Sequence, residues 1–304
     1  MKLQAVTVSV NYSDFLIHTL EENHKLFDKW VIVTDLKDQD TFELCRNYPN
    51  VVCIQTDIFY TNGARFNKFA GINLGLEQID ADAWVLFLDS DIVLHEKLTW
   101  VLENINLDPT CIYGVDRVNC QGFEAWDKYK QTRDLVVDNW LLTDAFFKFG
   151  ARLVHYYGYE NGDGKFAGWN PLGFFQLAHR SSFVSYPAFA TGADHCDLTF
   201  ARLFPREKRV HIPEVLVIHL ESLEAHKSVN WYGRVSRPFV PQKREEEKKE
   251  VEAPIIEEPN EQPASIREYG PKPPKNEGPF HPVKKTVRTA VAVLASILRI
   301  VKKK

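Results

Sequence analysis

Short uninterrupted apolar runs alternate with stretches of helical spacing through the first third of the chain. Positions 5–10, 30–34, 51–55 and 83–88 are continuous and rich in β-branched residues, which predicts buried strands. Between them, 13–27, 38–48 and 65–79 repeat their apolar positions at helical spacing. Strand and helix in alternation predict βαβ units and a mostly parallel sheet flanked by helices. Such sheets bind ligands beyond the carboxyl ends of their strands. The residues just past each run therefore carry the most interest: Asn11 and Tyr12, Asp35, Asp57, then Asp89, Ser90 and Asp91.

The pattern changes twice toward the C-terminus. From Gln242 to Pro279 the chain holds seven prolines, ten acidic and seven basic residues, too little apolar surface to fold on. A disordered, semi-extended spacer is expected over 241–282, following a folded domain over 1–240. Residues 283–304 differ again. On a helical projection Val287, Val291, Leu294, Ile297, Leu298 and Val301 share one half of the surface, and Lys284, Lys285, Arg288, Arg299, Lys302 and Lys303 the other. With no acidic residue among them, they predict a basic amphipathic helix suited to an anionic membrane surface, a protein partner being the competing reading.

Composition removes several classes. The 304 residues are 44% hydrophobic and 26% charged, which excludes a wholly disordered or fibrous chain. A net charge of −4 argues against nucleic acid as a partner. Five cysteines without a CxxC pair fit reduced thiols rather than a disulfide framework or a thiolate metal site. No apolar core of a signal peptide opens the chain, and no run of 18 apolar residues spans a bilayer. The expectation is a cytoplasmic protein, peripheral at the inner face of a membrane if the tail lies on one.

The strongest chemical signal is WVLFLDSDIV, in which an apolar strand runs into Asp89 and Asp91. Two carboxylates on one strand end repel each other, and a divalent cation removes that cost. Hard oxygen donors suit Mg²⁺ or Mn²⁺. A second apolar run, VLVIHLE, ends in His219, whose position suits a third ligand. ATGADHCDLTFARL delivers Asp194 from a small-residue loop and Asp197 one turn into a helix, either able to serve as a general base or as a helix cap. In NWYGR, Arg234 suits a phosphate clamp or a surface ion pair. The aromatic stretch 116–188 offers Trp169 and Gln176, within GWNPLGFFQL, as an acceptor platform.

Taken together, VTVSVNY, VIVTD, FNKFAGINLGL and VLFLDSDIVL resemble a GT-A glycosyltransferase of the family 2 type, over about residues 3–236. The resemblance implies a Rossmann-like GT-A fold and transfer of a sugar from a nucleotide-diphosphate donor, a UDP-sugar favoured, to a glycan, lipid-linked or protein acceptor. It implies that Asp89 lies near the ribose and metal, that Asp91 ligates the metal directly, that Tyr12 and Asp35 meet the base, and that Arg65 and Lys68 face the donor. It also implies inversion with Asp194 as the base, although Ala193 stands where the family often carries Glu. Two other readings remain: a non-catalytic sugar-binding or assembly protein of the same fold, and a nucleotidyltransferase. The absence of glycine after the first strand speaks against the latter.

Overall fold

The computed structural model describes residues 1–133, 140–141, 159–160, 165–166, 170–187, 192–193, 196–222 and 230–241. Asp194, Trp169, all but the first residue of the expected spacer, and the basic tail lie outside the described residues. The described residues belong to one unit, Met1–Gln242.

The elements run β1 (Leu3–Val8), α1 (Ser13–Asn23), β2 (Lys29–Asp35), α2 (Gln39–Cys45), β3 (Val51–Thr56), α3 (Lys68–Leu76), β4 (Trp84–Leu88), β5 (Ile92–Val93), α4 (Leu98–Asn104), β6 (Ile112–Gln121), α5 (Phe123–Thr132), β7 (Trp140–Leu141), β8 (Tyr159–Glu160), β9 (Lys165–Phe166), β10 (Phe175–His179), α6 (Cys196–Ala201) and β11 (Arg209–Glu221). The main sheet has the order β3-β2-β1-β4-β10-β6-β11-β5, with β7 paired to β6. The expected βαβ half is present: β3, β2, β1 and β4 are all parallel. The second half is mixed, with β10 antiparallel to β4 and β6, β11 parallel to β6, and β5 antiparallel to β11.

Alternation along each strand feeds two apolar layers. Ala5, Ile32, Leu86 and Leu88 join Leu16 and Leu20 of α1 on one side. Val6, Val8, Val33, Val85 and Phe87 join Phe69, Ile72 and Leu76 of α3 on the other. The helices are shorter than periodicity alone predicts, for local reasons. α1 gives way to a tight turn because the buried Asn23 side chain pairs with the β5 backbone, donating to Ile92 O at 2.7 Å and accepting from Leu94 N–H at 2.9 Å. α2 starts where expected, after Asp38, whose carboxylate accepts Thr41 N–H, and stops three residues early at Cys45. α3 begins after Asn67, whose side chain accepts Ala70 N–H, so Arg65 stands in the preceding loop and not on the helix.

Candidate active site

The strand order reverses between β1 and β4, so the crevice beyond their carboxyl ends is the expected ligand position. Asp89 and Asp91 leave the end of β4 there, with side chains 33% and 17% exposed. Lys68, the first residue of α3, reaches across to Asp89, Nζ to Oδ1 2.5 Å. Burial works against a charged Lys68, but the Asp89 carboxylate overrides it and holds the ammonium protonated well above the usual lysine range. Burial, with the Asp91 charge beside it, raises the Asp89 carboxyl above its ordinary value despite Lys68.

His219 reaches Asp91 through sheet register. β11 pairs with β5 so that His219 lies opposite Ile92, and Leu220 N–H donates to Asp91 O at 2.8 Å. His219 Nε2 then stands 3.4 Å from Asp91 Oδ2, and Nδ1 stands 3.0 Å from Glu221 Oε1. Burial alone would lower the His219 pKa, but Asp91, assisted by Glu221, lifts it to about 9. Burial would likewise raise Asp91, yet the His219 charge keeps that carboxyl below its usual range. Arg117 of β6 completes the group. Its guanidinium lies 4.7 Å from the Phe174 ring centre, in the field of Glu221, Asp91 and Asp89, with its pKa lowered by burial.

The donor set suits a hard divalent cation. Asp91 Oδ1 is buried and has no hydrogen-bond partner, an arrangement that a cation relieves. Carboxylate suits both Mn²⁺ and Mg²⁺, and the imidazole, after losing a proton, favours Mn²⁺ of the two. Among the described residues no three His, Cys, Asp or Glu side chains are already gathered at ligand spacing, and Asp89 is engaged by Lys68.

The other expected residues divide. Tyr12 lines the same crevice: burial first, then the Asp91 charge, pushes its hydroxyl pKa up. Asp35 ends β2 and accepts Lys37 N–H at 2.9 Å, forming a turn, and its charge is felt by Tyr60. The Arg65 guanidinium lies over the Tyr232 ring, 3.6 Å from its centre. Asp197 sits in the first turn of α6, where Oδ2 accepts Gly173 N–H and Oδ1 accepts Leu198 N–H, each at 2.8 Å.

Two expectations meet a different geometry. Gln176 is 0% exposed; its amide donates to Pro171 O and Asp197 O and accepts from the Tyr186 hydroxyl, which makes it a core strut rather than an acceptor contact. Arg234 is no free phosphate clamp. Its N–H groups go to both Asp14 oxygens, at 2.5 and 2.8 Å, and to the carbonyls of Asn11, Ser236 and Arg237. Sequence reasoning also passed over Arg117 and Asn119, although charged and amide residues inside the apolar strand IYGVDRVNC were a visible signal.

Compared with known proteins, residues 5–165 match the profile of Glycosyl transferase family 2. No curated protein matches. Among solved structures, the M. tuberculosis glucosyl-3-phosphoglycerate synthase is 14% identical with a TM-score of 0.29, over 38% of this chain and 44% of that one. A mycobacterial protein is 13% identical with a TM-score of 0.39, over 73% and 66%. The inositol-1-phosphate CTP transferase of T. maritima is 10% identical with a TM-score of 0.37, over 72% and 89%. The match thus spans less than half of the synthase.

Proposed function

The chain belongs to glycosyl transferase family 2, a glycosyltransferase by that membership, and we propose that it moves a sugar from a nucleotide-diphosphate donor, UDP-linked in the first instance, to an acceptor hydroxyl with inversion and with dependence on Mn²⁺ or Mg²⁺. The observation that supports this reading is the meeting of Asp89, Asp91, Lys68, Arg117 and His219 beyond the carboxyl ends of β1 and β4. Asp91 and His219 would hold the cation, whose chemistry there is Lewis-acid neutralisation of the departing diphosphate. Lys68 and Arg117 place fixed positive charge beside the same group, in a crevice where little of it is screened. Asp35 and Tyr12 take the nucleoside end.

The proton of the acceptor hydroxyl goes to Asp194 as its oxygen attacks the anomeric carbon and the bond to the diphosphate breaks. Ala193 precedes that residue and is tied on both sides. Its N–H donates to Trp231 O at 2.8 Å, and its carbonyl accepts the Cys196 thiol at 3.1 Å. Asp197, the other residue able to act as a base, has its carboxylate engaged by the Gly173 N–H. The acceptor is a glycan, lipid-linked or protein hydroxyl, with Trp169 as its stacking surface. The basic tail, 283–304, brings the enzyme to an anionic membrane face on the cytoplasmic side.

A thermal-shift panel of nucleoside diphosphates and their sugars, each with Mn²⁺ and with EDTA, tests the donor assignment. Binding to the folded state raises its stability by RT ln(1 + [L]/Kd), about 2.7 kcal/mol at a hundredfold excess over Kd. One nucleotide family should shift the transition with Mn²⁺ and not with EDTA, and Asp91→Ala should remove that shift while keeping the melting transition cooperative. Equal shifts with and without metal would sink metal dependence. No shift with any nucleotide would return the chain to the non-catalytic reading.

A further inference from the structure

Glu221 lies two residues beyond His219 on β11, so both side chains leave the same face of the strand. Asn119 lies directly opposite His219 in the parallel register with β6. Both reach the same ring nitrogen: Glu221 Oε1 is 3.0 Å and Asn119 Oδ1 3.3 Å from His219 Nδ1. A carboxylate accepts and does not donate, so Nδ1 must carry the hydrogen. The other nitrogen, Nε2, faces Asp91 Oδ2 at 3.4 Å. The ring therefore stands between two carboxylates with opposite uses. Glu221, on the Nδ1 side, is aimed away from the point that Nε2 and Asp91 share.

We propose that Glu221, with Asn119, is the positioning residue that fixes the orientation and tautomer of His219, so that Nε2 and the Asp91 carboxylate face one point, the place of a divalent cation. The inference rests on the metal-dependent reading above and assigns this chain's outer residues toward that ion. Histidines that ligate metals commonly donate their second nitrogen to a carboxylate, which fixes the ring, and loss of that partner costs about 10- to 100-fold in metal affinity. Here the partner is held firmly by backbone as well. Glu221 O accepts Gly122 N–H at 2.8 Å, and the next residue, Ser222, donates its hydroxyl to Arg237 O. The end of β11 is thus pinned from two directions, and the Glu221 side chain presents a defined acceptor.

The test measures Mn²⁺ binding to the full chain by the electron paramagnetic resonance signal of the free ion, with no acceptor and no turnover. Glu221→Leu should weaken Mn²⁺ binding about 10- to 100-fold. Glu221→Gln should stay within about threefold of wild type, because a glutamine amide can still turn its oxygen to Nδ1. A second readout needs no variant. With Co²⁺ in the wild-type chain, an exchangeable, hyperfine-shifted Nδ1–H proton should appear in the NMR spectrum, as it does when histidine binds through Nε2. Equal Mn²⁺ affinity in wild type and Glu221→Leu, or a Co²⁺ complex without that proton, overturns the positioning role while leaving metal binding standing. A wild-type chain that binds neither ion, with or without UDP, overturns the metal reading itself and this inference with it.

Discussion

Arg234 shows how a single side chain is read one way from its neighbours in sequence and another from its neighbours in space. Beside Gly233 it reads as a phosphate clamp or a surface ion pair, and its guanidinium is spent on Asp14, 220 positions earlier, and on three carbonyls. Asp14 also accepts Phe239 N–H at 2.6 Å, and Phe239 then stacks on Phe15 at 4.8 Å between ring centres. His18 lies against this packing, 5.7 Å from the Phe239 ring and 6.1 Å from Trp126. Burial first, and Lys130 second, lower its pKa below the ordinary 6.5. A histidine depressed in the folded state binds its proton more readily when unfolded, so stability is lost as pH falls below about 6.5 and the loss levels off below the depressed value. Urea midpoints between pH 7.5 and 5 should therefore fall for wild type and fall less for His18→Gln; parallel slopes would reject the assignment. The same distinction governs the candidate site. Asp89, Asp91 and His219 were legible because each ends an apolar run. The Lys68 contact, the Arg117 field and the burial of Gln176 were not, because they depend on which strands pair and in what register.

At the scale of elements, α3 carries the clearest conflict between local and tertiary preference. Gly71 sits one turn into the helix and Gly75 in its last turn, where alanine is favoured by up to about 1 kcal/mol on propensity alone. A Cβ on Gly75 would meet Val6 at 2.7 Å and Val33 at 3.2 Å, and one on Gly71 would meet the Phe59 ring at 2.6 Å. The two glycines let α3 lie directly on β1 and β2, and that closeness sets where Lys68 emerges at the helix start to meet Asp89. Overpacking a tight contact costs about 1–3 kcal/mol, more than the propensity gain. Gly75→Ala should thus destabilise the chain by about 1 kcal/mol net in urea unfolding, with a smaller effect on far-UV helicity. A variant as stable as wild type would mean that Val6 and Val33 yield freely. The existence and order of the elements through β4 were readable from apolar spacing. The starts of α1 and α2 also fell within a residue of the expected ones, whereas the end of α1 and the start of α3 did not, because Asn23 and Asn67 set them by side-chain hydrogen bonds that periodicity does not encode.

At the scale of the whole molecule, the parallel half of the sheet follows from its sequence pattern, while the half built from β10, β6, β11 and β5 does not. A two-residue strand such as β5 leaves no periodic trace, yet it is the partner that brings His219 to Asp91. The C-terminal segment is the reverse case, since its claim on function comes from composition alone. Lys284, Lys285, Arg288, Arg299, Lys302 and Lys303 share one side of a helical projection that has apolar residues on the other. Each basic side chain near an anionic surface contributes about 1 kcal/mol, an attraction that fades beyond a Debye length of about 8 Å at physiological salt. The apolar side adds burial that salt does not screen. The full chain should therefore sediment with phosphatidylserine-containing vesicles, bind far less to neutral ones, and lose most but not all of its binding as salt is raised. Deleting 283–304 should abolish sedimentation at every salt concentration and leave turnover of a water-soluble acceptor unchanged. Because only access to the membrane is removed, a lipid-embedded acceptor should lose apparent kcat/KM while the soluble one does not. If the shortened chain still sediments, another surface binds the membrane; if the full chain ignores anionic vesicles, the amphipathic side is left for a protein partner.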